Sequence, residues 1–214
     1  MPKNDYWKLS AHDSAKLIRD GSISAEDLVS SCIERTKETN NKINAIVDDL
    51  SVPALERARE LDKLAKKGAF KGPLHGVPIT IKENIDQKGY ATPNGLEGLK
   101  DLIAPGNAPV VDNLERDGAI VIGRTNTPEF SMRGTTDNVI HGRTFNPWND
   151  WASPGGSSGG ASAAVMSGMG SLAHGNDIAG SLRIPSTATG ACTVKPGLGR
   201  VPAYNPSQTQ ERGL

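Results

Sequence analysis

The sequence predicts an α/β fold, and three observations point to it. Two short apolar runs, Ile79–Lys82 and Ala119–Ile122, each follow a helix-forming segment and turn residues, the alternation expected of a buried sheet covered by helices. Before Gly68 the apolar residues recur at helical spacing. Glycine, at 24 residues, exceeds an average usage of about 7 % and concentrates between Gly155 and Gly199, beyond the second apolar run.

Taken in order, Ser10 and Ser24 each precede an alternation of polar and apolar residues with helical period. Ser24-Ala25-Glu26-Asp27 resembles a capping box, with acids in the first turn. Helices are expected over 11–20 and 25–39, with Leu28, Val29, Cys32 and Ile33 facing inward. A third helix near 53–67 carries Leu55, Ala58, Leu61 and Ala65, and Gly68 is its C-terminal stop. Gly72 to Pro78 is turn punctuation, and Ile79-Thr80-Ile81-Lys82 reads as a strand with Lys82 at its end. A helix over 108–117 and Gly118 lead to the second strand, from Ala119. The loop at 153–160 precedes a helix-forming stretch, Ala161 to Met169, and 171–175 has strand character. There is no internal repeat.

Composition narrows the function classes. Lys plus Arg and Asp plus Glu stand at 24 each, so there is no net field to attract nucleic acid or an anionic membrane surface. No apolar run approaches the roughly 18 residues of a membrane span. The start, MPKNDYWKLS, lacks the apolar stretch of a signal peptide, so a soluble, cytoplasmic protein is expected. Cys32 and Cys192 have neither disulfide-framework nor zinc-ligand spacing.

The chemistry is sought in the glycine-rich region. Gly155-Gly156-Ser157-Ser158-Gly159-Gly160 allows positive φ and close backbone approach to an anion, and equally suits a flexible loop. It fits the nucleophile elbow G-x-S-x-G around Ser157 or Ser158, but that elbow needs an acid and then a histidine downstream, and His174 is the only histidine after the loop. No Gly-Lys-Ser or Gly-Lys-Thr follows to make a phosphate loop, and Ser-x-x-Lys is absent. Ser181, after small residues and before a potential helix start, reads either as an N-cap or as a nucleophile beside converging N–H groups.

Together these motifs resemble the amidase signature family. The resemblance rests on GGSSGG, then Asn176-Asp177-Ile178-Ala179-Gly180-Ser181-Leu182-Arg183-Ile184-Pro185, then Lys195-Pro196 with Gly199-Arg200-Val201. Upstream, Gly76-Val77-Pro78-Ile79-Thr80-Ile81-Lys82-Glu83-Asn84-Ile85-Asp86 and Gly123 to Phe130 are also similar to the family. It implies the family's mixed β-sheet covered by helices, with residues 1–214 forming one domain that lacks its C-terminal half. It implies a catalytic set of Lys82, Ser157 held by a cis peptide bond, and Ser181, the serines standing 24 residues apart as in the family. Neutral Lys82 would draw a proton through Ser157 from Ser181 as Ser181 attacks a carboxamide carbonyl. Backbone N–H groups of Ile178, Ala179, Gly180 and Ser181 would form the oxyanion hole.

Amide hydrolysis is thus the expected activity, with neither metal nor organic cofactor. The expected ligand is a small-molecule amide, and the expected protein partner is a second copy of the chain or the missing half. The rival readings are the glutamine-hydrolysing subunit of a tRNA amidotransferase and an inactive relic. Glu83, Asp86 and Asp177 are not expected to form a catalytic carboxylate pair, Asp177 instead bonding loop backbone. Arg183 is expected to brace the loop, Lys195 to be structural or solvated, His174 to be a hydrogen-bonded neighbour, and Trp148 and Trp151 to pack. Ala179 stands where the family has glycine, at a cost of about 1 kcal/mol if positive φ is required there. Ala191-Cys192-Thr193-Val194 also departs from the family's run before Lys-Pro.

Overall fold

A computed structural model describes residues 1–208. The hydroxyls of Ser10 and Ser24 accept from the N–H groups of Asp13 and Asp27 at 3.0 and 2.9 Å, and so start α1 (Ala11–Arg19) and α2 (Ala25–Ile43). α2 continues past residue 39 and ends at Asn44, which takes the left-handed conformation (φ 53°). The side chain of Asn40 then turns the chain, accepting from the N–H groups of Ala45 and Ile46 at 2.9 and 3.0 Å.

That turn delivers β1 (Ile46–Asp49), a strand the sequence does not announce. It is followed by α3 (Ser51–Ala65), with Gly68 left-handed (φ 71°) just beyond. β2 (Pro78–Lys82), α4 (Pro109–Arg116) and β3 (Ile120–Thr125) lie close to their expected positions. α5 (Gly159–Met166) begins earlier and stops sooner than expected, and β4 (Leu172–His174) and α6 (Arg183–Thr189) follow.

The strands form one mixed sheet in the order β1-β3-β2-β4, with β1 antiparallel to β3 and with β2 parallel to both β3 and β4. Side chains alternate across it. Ile120 and Ile122 pack with Leu28, Cys32 and Leu61 of α2 and α3 on one face, while Val121, Ile79 and Ile81 pack with Val111 of α4 on the other. Each fully buried aliphatic side chain contributes about 1.5–3 kcal/mol. The same alternation turns Thr80 and Lys82 away from Ile79 and Ile81.

α5 is buried and built of small residues, with Ala163 and Ala164 packed beside Ile46 and Met169. A Cβ on Gly160 would lie 2.6 Å from both N and O of Asn126, so only glycine lets α5 sit against the end of β3. Among the described residues, no helix is long and apolar enough to cross a membrane.

Candidate active site

Lys82 ends β2 with its side chain wholly buried. Its Nζ lies 2.7 Å from Ser157 Oγ, 3.2 Å from Ser158 Oγ and 2.8 Å from Asn176 Oδ1. Burial pushes the amine down to about 7, against a smaller upward pull from the charges of Glu83 and Asp177. Ser157 and Ser158 come from the turn that starts α5, and the Gly156–Ser157 peptide bond is cis.

The segment after β4 folds back over this turn. Ser158 donates its N–H to the carbonyl of Ser181 at 3.0 Å and its hydroxyl to the carbonyl of Asn176 at 3.3 Å. Asp177 holds the loop from inside, accepting from the N–H groups of Gly180, Leu182 and Arg183 at 2.7, 3.1 and 3.3 Å. The guanidinium of Arg183 forks onto both oxygens of the same carboxylate at 3.0 and 2.9 Å. These bonds, the Arg183 side chain first, keep the Asp177 carboxyl well below the usual range.

Bracing leaves specific groups unengaged. Among the described residues, the N–H groups of Ile178, Ala179 and Ser181 and the hydroxyl of Ser181 have no hydrogen-bond partner. Gly180 differs from the expected row of four free donors, because its N–H is committed to Asp177. Gly180, not Ala179, carries the positive φ of the loop (113°), so alanine at 179 is unstrained.

Ser157, Asn176 and Ser181 line a common cavity of about 690 Å³ whose other walls include Val110, Phe130, Met132, Ile178 and Ile184. Lys82 and Ser157 are thus in direct contact, and Ser181 lines the same cavity as Ser157. Sequence reasoning does not place Ser158 and Asn176 against Lys82, although both touch it. The signal available is their position, one beside each expected serine or loop acid.

The remaining candidates fall elsewhere. Glu83 accepts from Gly95 N–H at 3.0 Å and sits 3.0 Å from His141 Nε2, and Asp86 holds Ser207 at 2.6 and 2.8 Å. Both carboxylates are structural anchors. Lys195 is exposed, with Nζ 3.2 Å from the carbonyl of Pro196.

Two expectations need correction. His174 is not hydrogen-bonded at Nδ1, which is buried without a partner among the described residues, and burial together with the charge of Lys82 pushes the ring down to about 4. Trp148 and Trp151 are 71 % and 80 % exposed rather than packed, because the turn closed by the Asn146–Asn149 bridge carries them on the outside. Trp148 is held there through its indole N–H, which donates to the carbonyl of Thr189 at 2.6 Å. No group of three or more His, Cys, Asp and Glu side chains among the described residues is placed to hold a metal ion.

Comparison with known proteins identifies the family of the chain. The Amidase family model matches residues 27–212. The chain is 54 % identical over 213 residues to an indoleacetamide hydrolase of Bradyrhizobium diazoefficiens, covering 100 % of this chain and 41 % of that one. It is 40 % identical to a glutamyl-tRNA(Gln) amidotransferase subunit of Endomicrobium trichonymphae, covering 94 % of this chain and 41 % of that one. Among solved structures, a bacterial aryl acylamidase of the amidase signature family superposes with a TM-score of 0.85 at 34 % identity, covering 91 % of this chain and 40 % of its own. The chain thus spans about two fifths of the length of the curated relatives it matches. With the ordered motifs, the mixed sheet and the family match in agreement, this chain belongs to the amidase family, the amidase signature hydrolases.

Proposed function

We propose that this chain carries the catalytic residues of an amidase that cleaves the C–N bond of a small, largely apolar carboxamide through an acyl-enzyme on Ser181. One observation carries the reading: a buried lysine, free of any carboxylate contact among the described residues, lies 2.7 Å from Ser157 in a site whose cavity Ser181 lines. Burial favours the neutral amine, and a neutral amine is a base.

Lys82 takes the proton of Ser157, and Ser157 takes that of Ser181 as the Ser181 oxygen bonds to the carbonyl carbon. The carbonyl π electrons move to oxygen, where the free N–H groups of Ile178, Ala179 and Ser181 receive the negative charge, each donor worth about 3 kcal/mol. Gly180 contributes by shaping the loop, its own N–H being turned to Asp177. The proton returns through Ser157 to the nitrogen, the C–N bond breaks, and water later attacks the ester by the reverse relay. These steps call on no metal or organic cofactor.

The apolar walls Val110, Phe130, Met132, Ile178 and Ile184 suit an aryl or alkyl acyl group, in keeping with the relative named for indoleacetamide. The similarity to an amidotransferase component supports a second reading, hydrolysis of glutamine within a complex. Against it, Arg133 is the only charged residue lining the cavity among the described residues, whereas glutamine brings both a carboxylate and an ammonium. In the full-length protein, indoleacetamide and phenylacetamide are expected to be hydrolysed in preference to glutamine. Ser181→Ala, Ser157→Ala and Lys82→Ala are each expected to lower kcat by about 10³-fold or more. Wild-type turnover in Ser181→Ala would remove it as nucleophile, and a preference for glutamine would favour the second reading.

A further inference from the structure

We propose that Asn176 is the positioning residue that aims the lone pair of Lys82 at Ser157. The inference rests on the proposed function and follows from counting hydrogens at one nitrogen. A neutral lysine amine has two N–H bonds and one lone pair, and the Nζ of Lys82 has three neighbours.

Asn176 Oδ1, at 2.8 Å, is an amide oxygen that can only accept, so it takes one N–H. Ser158 Oγ, at 3.2 Å from Nζ, gives its own hydrogen to the main-chain carbonyl of Asn176 at 3.3 Å. Toward Lys82 it therefore acts as an acceptor and takes the second N–H. Only the lone pair remains, and it faces Ser157 Oγ at 2.7 Å, the shortest of the three contacts. The Ser157 hydroxyl has no other hydrogen-bond partner among the described residues, so its hydrogen is free to lie along that contact.

Asn176 thus acts twice, binding Lys82 with its side chain and Ser158 with its backbone. The close approach this needs is built in at the preceding residue, where a Cβ on Gly175 would lie 2.7 Å from Ser158 Oγ. Without the Oδ1 acceptor the amine can rotate about its terminal bond and point an N–H at Ser157, which removes the base from the relay. The proton path stays balanced: in acylation one proton leaves Ser157 for Lys82 and one leaves Ser181 for Ser157, then Lys82 returns its proton to Ser157 as Ser157 passes one to the leaving nitrogen. In deacylation the attacking water supplies the proton that restores Ser181.

Two variants of the full-length protein test this. Asn176→Leu keeps the approximate shape and removes the acceptor, while Asn176→Asp keeps an acceptor and adds a charge beside Nζ. Each is assayed for kcat, KM and the pH profile on a small amide. Lys82 itself is titrated by ¹³C NMR of labelled lysine, with Lys82→Met assigning the signal. Asn176→Leu is expected to lower kcat about tenfold or more at nearly constant KM, with no recovery at high pH, and to move the Lys82 titration downward. Asn176→Asp is expected to move both the rising limb of kcat/KM and the Lys82 titration upward by about one pH unit or more, with activity recovering at alkaline pH.

Wild-type kcat in Asn176→Leu, or a Lys82 titration unmoved in both variants, would overturn the proposal. The two readings fail separately. An inactive wild type whose Lys82 still responds to both substitutions as stated overturns the amidase reading and supports the positioning role, while an active wild type whose Lys82 ignores them does the reverse.

Discussion

A buried lysine binds its proton more weakly in the folded chain than in the unfolded one, and Lys82, pushed down to about 7 from 10.5, is such a residue. Between those two values the unfolded state holds more protons, so the stability of the folded chain rises with pH across that window. Below pH 7 both states are protonated and the folded state carries the full cost of the buried ammonium. Lys82→Met removes this dependence. Its urea midpoint, relative to wild type, is expected to be most favourable near pH 6 and to lose that advantage as the pH approaches 10, whatever constant offset the lost hydrogen bonds add. A difference that does not vary with pH would mean that Lys82 titrates normally. Ala179 gives a second residue-scale prediction: because Gly180 carries the positive φ, Ala179→Gly relieves no strain, and kcat is expected to stay within about twofold of wild type. A several-fold rise would show that the alanine distorts the donors.

At this scale the family resemblance singles out Lys82, Ser157 and Ser181, and the structure brings Lys82 against Ser157, with Ser181 lining the same cavity as Ser157. The roles of Ser158 and Asn176 are not, since their contacts with Lys82 exist only after the loop beyond β4 folds over the start of α5. The exposure of Trp148 and Trp151 is hidden for a related reason: an aromatic residue in a sequence reads as core unless the turn carrying it is known.

Among the elements, α5 places the serines by lying close against β3, and Gly160 permits that approach. Gly160→Ala is expected to destabilise the protein by about 1–3 kcal/mol through overpacking, although alanine is the better helix former. A stability equal to or above wild type would show that propensity outweighs the contact with Asn126. The helices α1 to α4 and the strands β2 and β3 can be read from caps, periodicity and apolar runs, which are local signals. β1 cannot. Its four residues include Asp48 and Asp49, and its strand state comes from antiparallel pairing with β3, about 75 residues away along the chain. Asp48 also reaches the buried Arg124 at 3.0 Å, a partnership that no local pattern announces.

For the molecule as a whole, the sheet joins what the chain separates: β2 supplies Lys82, the turn before α5 supplies Ser157, and the loop after β4 supplies Ser181. The cavity that Ser157 and Ser181 line has exposed apolar walls, with Met132 at 85 % and Ile178 at 69 %. Such walls bind an apolar acyl group well only when covered, so labelling is best compared between this chain and one lengthened to the span of its relatives. The most direct measurement is reaction with a serine-directed fluorophosphonate, followed by mass spectrometry of the digested protein. A single adduct on Ser181 is expected, faster in the longer chain, rising with pH through about 7 and abolished in both Ser181→Ala and Lys82→Ala. An adduct on Ser157 or Ser158 instead, or labelling of Ser181 that survives Lys82→Ala unchanged, would contradict the relay from Ser181 through Ser157 to Lys82.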